Sequence, residues 1–324
     1  MTDGRAKVIA YPRRYNRPPC RHGTATTSTV SKMVREPLDL LHCGDPRRIA
    51  AYLVETDDGL GLFECGPTSC LPTLHSALGA RGLQLGDVKH LLLSHIHLDH
   101  AGAAGALVRE NPELLVHVSE IGAPHLVDPR RLEASARRLY GEAFDELWGA
   151  LVPVPEENIR VVGERVVGLE CFAAPGHASH QVSYLHEDGT LYNGDAAGVR
   201  IAPGRFVFAP TPPPEIDLDA WERTIEETER RAPARVAIVH FGVFDDVGRH
   251  LGALRETLRS WADRVGHGMD EPTFVAAARA DVAASDPDEA DAYDRAAPYW
   301  HCYLGLERYW RKRLEAIPAS EPAA

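Results

Sequence analysis

The sequence predicts an α/β fold in which strands and helices form alternating layers. Short apolar runs that are typical of strands alternate along the chain with segments of helical period, as they do in layered α/β cores. Several of these runs also end in histidine or aspartate, as in "LLLSHIHLDHAG" at residues 91–102. The composition of 324 residues, 44% hydrophobic and 25% charged, is that of an ordinary globular chain.

The first half of the chain predicts a hairpin followed by alternating helices and strands. Residues 49–65 form two strand-like runs, and the Asp57-Asp58-Gly59 sequence between them favours a tight turn. The elements expected next are a helix at 70–82, a strand at 88–95, a helix at 101–110 and a strand at 113–119. The helix at 101–110 should end at Asn111-Pro112, because proline cannot continue it.

The second half predicts an insertion, further strands and a helical end. Residues 119–158 are amphipathic with helical period, so we expect a helical insertion between strands. Strands are expected at 159–174, 181–196 and 236–242, whereas the stretch 203–217 is too rich in proline for a central strand. The pattern is helical from about residue 246. The predicted organisation is a tail at 1–32, a main domain at 33–245 and a helical C-terminal extension at 246–324.

Residues 1–32 differ in charge from the rest of the chain. They carry seven Lys/Arg and one acidic residue, a charge of +6, which leaves −18 for the remainder of a chain whose formal net charge is −12. They also lack strand or helical period, so we expect a flexible basic tail. An arm that binds nucleic acid or a membrane is the sharper alternative.

Charge, hydropathy and cysteine usage limit the classes of partner. The acidic balance argues against a nucleic-acid partner, and no apolar run approaches the roughly 18 residues of a membrane span. The N-terminus lacks the apolar region of a signal peptide, and the six cysteines include no CxxC pair. We therefore expect reduced thiols and a cytoplasmic location, with a disulfide or thiolate ligand as the alternative. Aromatic residues between 299 and 310 are spaced for helix packing or for the seam of a homodimer.

The run His95-x-His97-x-Asp99-His100 places four potential metal ligands within six positions. Alternate residues of an extended segment point the same way, so His95 and His97 can bind one ion together. Asp99 and His100 lie past the strand end, where the turning chain can face a second ion. Imidazole and carboxylate groups suit zinc and related divalent metals. The structural alternative, a row of buried histidines, would require a polar partner for nearly every ring.

Three later apolar runs each end in a residue that can bind a metal. "APGHASH" supplies His177, "LYNGDAAG" supplies Asp195 and "AIVHFG" supplies His240. Each residue alone has a structural explanation, as part of a turn or a strand edge. Their recurrence after the first motif predicts that all of them converge on one edge of the sheets. His180 is expected to be a supporting or structural residue, and His117 and His125 are expected to be structural or surface residues.

The chain resembles the metallo-β-lactamase superfamily, and broadly its glyoxalase II-like branch, in the order of four motifs: "SHIHLDHAG", "APGHASHQVSY", "NGDA" and "VHFG". The resemblance covers about residues 40–245. The resemblance implies a four-layer αβ/βα sandwich of the α/β class, here with a helical insertion and a helical C-terminal extension. It implies a first metal ion held by His95, His97 and His177, a second held by Asp99, His100 and His240, and a bridging Asp195. Glu64 occupies a position where many members have an aspartate that supports a ligand histidine.

The resemblance also implies a metal-dependent hydrolase with two divalent ions, Zn²⁺ first, with Mn²⁺ or Fe²⁺ as alternatives. Such a pair activates a water, and Asp99 is the expected catalytic residue that orients it. The acidic body favours a small-molecule substrate with an ester-like bond, a thioester or lactone. A phosphodiesterase or nuclease with the same metal pair is the second interpretation. A non-haem iron redox enzyme is the third, although the di-iron oxygen-reducing branch usually has glutamate where this chain has His97.

Aromatic residues that overhang the metal-binding edge are the candidates for substrate specificity. Tyr140, Phe144 and Trp148 of the insertion and Phe206 and Phe208 of the proline-rich stretch are predicted to line an apolar pocket. The alternative for the three insertion residues is that they bury the insertion's own inner face.

Overall fold

A computed structural model of the protein describes residues 36–315, and the predicted basic tail at 1–32 lies outside the described residues. The described chain forms two six-stranded sheets. The first contains β1 Leu38–Asp39, β2 Ala50–Thr56, β3 Gly59–Phe63, β4 Val88–Leu92, β5 Leu115–Val118 and β6 Ile159–Val161, in that order. The second contains β7 Arg165–Val166, β8 Leu169–Ala173, β9 Val182–Leu185, β10 Thr190–Tyr192, β11 Arg235–Ile238 and β12 Gly242–Phe244, again in chain order.

Both sheets are mixed. In the first sheet β1, β2 and β3 are antiparallel, and β3 to β6 are parallel. In the second sheet only β10 and β11 pair in parallel. The predicted hairpin is confirmed as β2–β3, with Thr56 opposite Gly59. Because neighbouring parallel strands end at the same edge of a sheet, the residues that follow β4 and those that follow β10 and β11 can meet at one edge.

The α-helices of the described residues include a cluster in the insertion and a group at the C-terminal end. Those before the second sheet are α1 Leu71–Gly79, α2 Leu98–Ala101, α3 Ala104–Glu110, α4 Ala123–Val127, α5 Arg130–Tyr140 and α6 Phe144–Trp148. Those after β10 are α7 Leu218–Arg231, α8 Val247–Gly266, α9 Glu271–Ser285, α10 Ala290–Ala296 and α11 Tyr299–Glu315. The arrangement is the expected four-layer αβ/βα sandwich with a helical insertion and a C-terminal helical extension.

Aromatic side chains fill the space between the sheets. Phe63 lies 5.3 Å from Tyr192 and 6.0 Å from Tyr184 between ring centroids. The Tyr52 hydroxyl donates to the carbonyl of Ile238 at 2.6 Å, and the Tyr184 hydroxyl donates across to the first sheet. Each buried hydroxyl therefore avoids the cost of about 1–3 kcal/mol that an unpaired polar group would carry.

Three local features differ from the sequence prediction. The predicted strand region 159–174 is divided, because β6 belongs to the first sheet and β7 and β8 to the second. Strand period alone does not specify the sheet in which a strand pairs. The helix expected at 101–110 begins earlier, at Leu98, and is interrupted before Ala104. Helix α7 was not predicted, although Asp217 caps it by accepting a hydrogen bond from the Ala220 amide at 2.8 Å.

The C-terminal helices pack on the rest of the protein. The Trp310 indole of α11 donates to the Ala262 carbonyl of α8 at 2.8 Å, and Trp261 stacks on Phe208 at 4.9 Å. The Thr211 hydroxyl donates to the Cys302 carbonyl at 3.0 Å. These contacts fix the start of α11 beside the proline-rich loop. The domain boundary between residues 245 and 246 stays a prediction.

The described cysteines are all free thiols. Cys65, Cys70, Cys171 and Cys302 are buried, and Cys43 is exposed. Between residues 36 and 315, no helix has the length and hydropathy that a bilayer span requires.

Candidate metal centre

The seven predicted ligands all lie just beyond strand ends, on one edge of the sandwich. His95 and His97 follow β4, and Asp99 and His100 lie in α2. Those on the second sheet's side are His177 between β8 and β9, Asp195 in the 3₁₀ turn Gly194–Ala197 after β10, and His240 after β11. The structure brings all seven together in two groups, which we call the ligand cluster, and a further possible group of Glu64, His95 and His100 overlaps both.

The first group consists of His95, His97, His177 and Asp195, whose candidate ligand atoms lie within 4.8 Å of one another. Nδ1 of His97 lies 3.0 Å from Nε2 of His95 and 2.9 Å from Nε2 of His177. Two ligands of a tetrahedral zinc ion, each about 2.0–2.1 Å from it, are about 3.3 Å apart. The group therefore has the dimensions of a site for one ion.

The second group consists of Asp99, His100 and His240. Oδ2 of Asp99 lies 3.4 Å from Nε2 of His240 and 3.7 Å from Nε2 of His100. Both imidazoles are buried, whereas the Asp99 side chain keeps 22% of its surface exposed. This group could hold a second ion, with its carboxylate on the more open side.

Asp195 lies between the two groups. One carboxylate oxygen, Oδ2, lies 3.3 Å from Nε2 of His177 in the first group. The other, Oδ1, lies 3.3 Å from Nε2 of His100 and 3.6 Å from Nε2 of His240 in the second group. The two oxygens thus face different groups, as those of a bridging carboxylate do.

The outer nitrogens of the histidines are held by protein groups. Nδ1 of His177 donates to the Pro210 carbonyl at 2.8 Å, and Nδ1 of His240 donates to the Arg48 carbonyl at 2.7 Å. A carbonyl can only accept, so Nε2 of each ring can present a lone pair to the ligand cluster. Hydrogen bonds of this kind fix the tautomer and orientation of metal-binding histidines.

Glu64 supports His100 from below the ligand cluster. Its Oε1 accepts from Nδ1 of His100 at 3.3 Å and from the Ser94 amide at 3.2 Å, and the side chain is fully buried. Its backbone has a φ of 59°, a left-handed conformation that is unusual for a residue other than glycine. Glu64, which the sequence predicts to support a ligand histidine, is therefore a buried carboxylate in contact with His100.

Burial and neighbouring charges act on the ligand cluster in opposite directions. Burial, followed by the neighbouring histidines, lowers the pKa of His95 and His97 well below the usual range. Burial also lowers the pKa of His100, but the carboxylates around it outweigh that effect and hold its pKa well above the usual range. These effects favour the neutral form of His95 and His97, which is the form of imidazole that binds metal.

Two buried atoms of the ligand cluster have no hydrogen-bond partner. Nε2 of His100 and Oδ1 of Asp195 lie 3.3 Å apart, but they lack the alignment of a hydrogen bond. Buried polar atoms without a partner are costly, and each of these two atoms is a good donor to a metal ion. The residues present thus fit a pair of divalent ions.

A cavity of about 670 Å³ lies over the ligand cluster. His97, Asp99, His177, Asp195 and His240 contribute to its lining. The insertion, the proline-rich loop and the start of α11 supply most of the remaining surface. A volume of this size is typical of sites for small molecules.

Five rings that line this cavity form a continuous series, which we call the aromatic wall: His42, Trp148, Tyr140, His301 and Trp300. Consecutive ring centroids in that order are 5.3, 5.0, 5.4 and 3.8 Å apart. The rings come from the turn His42–Gly44, the insertion and α11. Segments distant in sequence therefore build one face of the cavity.

The structure separates the predicted specificity residues. Tyr140 and Trp148 line the cavity, whereas Phe144 is fully buried against Leu98. The prediction that Phe206 and Phe208 line the pocket is wrong. Those two rings pack against the C-terminal helices, with ring centroids 4.9 Å apart for Phe208 and Trp261 and 6.2 Å apart for Phe206 and Tyr293. The sequence gives no sign that these helices cover the loop.

Other cavity residues were missed or misplaced. His42, Trp300 and His301 have no sequence signal for this role, because their proximity to the ligand cluster is created by tertiary packing. His125, expected to be a structural or surface residue, lies in the cavity lining, as does His180. His117 is buried, with its Nε2 3.1 Å from Nδ1 of His90, in agreement with a structural role.

Fold and ligand geometry define a four-layer α/β protein with a candidate dinuclear metal site at one edge. Residues 44–243 match the family model of the metallo-beta-lactamase superfamily. That match covers more than half of the chain, and the protein belongs to this superfamily, whose members are usually hydrolytic enzymes.

Individual relatives are distant. The chain is 27% identical over 173 residues to a metallo-beta-lactamase fold-containing protein of Sulfurisphaera tokodaii, covering 49% of this chain and 62% of that protein. It is 31% identical over 141 residues to the lactamase-like protein adaB of Aspergillus niger, covering 39% and 43%. Each match spans less than two thirds of the relative's length. The crystal structure of a metallo-beta-lactamase family protein from Thermus thermophilus shares the fold, with a TM-score of 0.56, 20% identity and coverage of 82% of this chain and 89% of that one.

Proposed function

We propose that this protein is a metal-dependent hydrolase that holds two divalent ions, Zn²⁺ in the first place, and cleaves a thioester or lactone in a small molecule. The observation that carries this proposal is the position of Asp195, whose two carboxylate oxygens face separate groups of candidate ligands 3.3 Å away. A single structural ion would not need a shared carboxylate or a second group that lines a cavity.

Each residue of the ligand cluster has a role in this proposal. His95, His97 and His177 would hold the first ion, Asp99, His100 and His240 would hold the second, and Asp195 would offer one carboxylate oxygen to each group. When bound, such a pair lowers the pKa of a water towards neutrality and polarises the carbonyl of a substrate. Asp99 has 22% of its side-chain surface exposed, against 6% for Asp195, and it lines the cavity. We therefore assign to Asp99 the orientation of the attacking water.

The cavity supports an ester-like substrate with an apolar acyl part. Its volume of about 670 Å³ suits a small molecule, and the aromatic wall offers an apolar surface beside the ligand cluster. The Tyr140 ring is held between Trp148 and His301, and its hydroxyl has no hydrogen-bond partner among the described residues. That hydroxyl is therefore available to a polar atom of the substrate.

Metal analysis followed by a substrate screen tests the proposal. Protein purified without added metal should contain about two divalent ions per chain by elemental analysis. The metal-loaded protein should then cleave at least one thioester or lactone, and an Asp99→Asn variant should lose most of that activity. Retention of a single ion that a His100→Ala substitution leaves in place would contradict the dinuclear site. Cleavage of phosphodiesters alone, with no ester-like substrate accepted, would reject the substrate class.

A further inference from the structure

Helix α5 of the insertion carries two adjacent pairs of arginines with different environments. Arg130 is ion-paired with Asp128, with Nε at 2.7 Å from Oδ1. Arg137 is ion-paired with Glu133 and Asp145, both at 2.8 Å. Their neighbours Arg131 and Arg138 line the cavity instead, and neither forms an ion pair or a hydrogen bond within residues 36–315, although Arg131 interacts with the charge of Asp128 at longer range.

Helical geometry places Arg131 and Arg138 on one side of α5. Seven residues correspond to about two turns, so the two backbones are about 10 Å apart along the same face of the helix. Leu132, Leu139 and Tyr140 line the cavity as well, and no residue of α5 is fully buried. The helix thus borders the cavity with apolar side chains and with two unpaired guanidinium groups.

The charge of the cavity lining is opposite to that of the chain. The chain has 35 Lys/Arg against 47 Asp/Glu. Outside the ligand cluster, the lining contains four arginines and one acid, Glu215, which accepts a hydrogen bond from Ser179 at 2.7 Å. Of the arginines, Arg48 and Arg295 approach the same carboxylate, Asp45, at 3.7 and 3.6 Å. The excess positive charge that faces the cavity therefore resides mainly on Arg131 and Arg138.

We propose that Arg131 and Arg138 bind an anionic group, a carboxylate or a phosphate, at the end of the substrate remote from the bond that is cleaved. Planar guanidinium groups bind such oxyanions through paired hydrogen bonds. Tyr140 ends α5 and belongs to the aromatic wall, so the apolar part of the substrate lies between the ligand cluster and the arginines. This inference rests on the proposed function and narrows its substrate class to esters, thioesters or lactones that carry a negative charge beyond an apolar segment.

A binding experiment tests the anion site without relying on turnover. The cavity-side double variant Arg131→Gln/Arg138→Gln is compared with Arg130→Gln/Arg137→Gln, which removes the same charge from the outer side of the same helix. Metal-loaded proteins are titrated, with tryptophan fluorescence as readout, because Trp148 and Trp300 line the cavity. The probes are uncleaved anilides of hexanoic acid whose far end carries a carboxylate, a phosphate or a neutral amide.

We expect the wild type and the outer-side variant to bind an anionic anilide about tenfold more tightly than the neutral amide, since charge-assisted hydrogen bonds are the stronger ones. The cavity-side variant should lose that preference, and added salt should weaken only the anionic probes. Tighter binding of the carboxylate or of the phosphate identifies the natural group. Equal affinity of the two double variants for both anionic probes would overturn the proposal.

Hydrolysis of the matching phenyl esters separates failure of this inference from failure of the proposed function. The cavity-side variant should raise KM for the anionic ester about tenfold and leave kcat for that ester nearly unchanged. Both KM and kcat for the neutral ester should stay nearly the same. If no ester, thioester or lactone is cleaved, the hydrolase proposal fails, and the anilide titration alone decides the anion site. If esters are cleaved but both double variants treat charged and neutral esters alike, the hydrolase proposal stands and the anion site is wrong. Circular dichroism and metal content confirm that each variant is folded.

Discussion

The ligand cluster and the cavity walls of this protein are built in different ways. Each residue of the ligand cluster lies in the loop, turn or short helix that follows a strand of one of the two sheets, and these strand ends bring the residues together. The walls combine the turn near His42, the insertion and the start of α11, which meet only through helix packing. The residues at the strand ends can stay the same while the walls change, so we expect reaction type and substrate choice to depend on separable parts of the molecule.

The largest expected effect is loss of the shared carboxylate. Asp195→Ala should lower the metal content from about two ions to less than one, because both groups lose a ligand. Hydrolysis should fall by about a thousandfold or more, since metal ions contribute several kcal/mol to the stabilisation of such transition states. Elemental analysis and kcat/KM measure the two effects, with Asp219→Ala on the exposed start of α7 as control. A variant that keeps both ions would show that Asp195 is not shared.

The contrast between ligand cluster and walls also explains what could be predicted from the sequence. The predicted ligands stand at the ends of apolar runs: "SHIHLDHAG", His177, Asp195 and His240. The expectation that residues after neighbouring strands meet at one edge of the sheets was enough to place them together. His42 and His301 lie in equally apolar surroundings, "LLHCGD" and "YWHCYL", but their position depends on how α6 and α11 pack. Phe206 and Phe208 were misplaced for the same reason, because the C-terminal helices cover them. Local patterns report local structure, and the walls are not local.

Two aromatic residues of the insertion sharpen the comparison, because one belongs to the core and the other to a wall. Phe144 is fully buried with Leu98 and Trp148, so Phe144→Ala should reduce the free energy of unfolding by ~3–5 kcal/mol. Tyr140→Phe keeps the ring in the aromatic wall and removes only the unpaired hydroxyl, so stability should change by less than about 1 kcal/mol.

Tyr140→Phe, which should barely change stability, should instead lower catalytic efficiency. Tyr140→Phe should lower kcat/KM about tenfold at unchanged metal content, as expected for loss of one hydrogen bond to substrate. Urea unfolding and steady-state kinetics on both variants provide the check. Strong destabilisation by Tyr140→Phe, with normal kinetics in the protein that remains folded, would place Tyr140 in the core instead.

Glu64 tests the support beneath the ligand cluster. Glu64→Gln keeps the length of the side chain but removes the charge that faces Nδ1 of His100 at 3.3 Å. We expect affinity for the second ion to fall about 10–100-fold, the usual cost of losing the partner of a ligand histidine, while the first ion stays bound. Competition with a chelator measures both affinities, and Glu55→Gln on β2 is the exposed control. If the affinities for both ions fall equally, Glu64 supports the whole ligand cluster rather than His100 alone.

A last prediction distinguishes a structural histidine from those of the ligand cluster. His250 of α8 is fully buried, its Nε2 donates to the Ala197 carbonyl at 2.7 Å, and its Nδ1 has no partner. A second proton on this ring would have no acceptor, and burial lowers the pKa of His250 to about 4. The unfolded chain has a histidine pKa of about 6.5, so between these values the unfolded state binds more protons.

Stability must therefore fall as the pH decreases from about 6.5 towards 4, and His250 should contribute about 2 kcal/mol of that loss by pH 5. Urea unfolding of the wild type and of His250→Gln at pH 8 and pH 5 measures the contribution as the difference between their pH dependences. The ligand cluster is identical in both proteins, so metal release at low pH cancels in that difference. If His250→Gln retains the full loss of stability, His250 does not contribute to the acid sensitivity, and its burial without a second acceptor does not lower its pKa as argued.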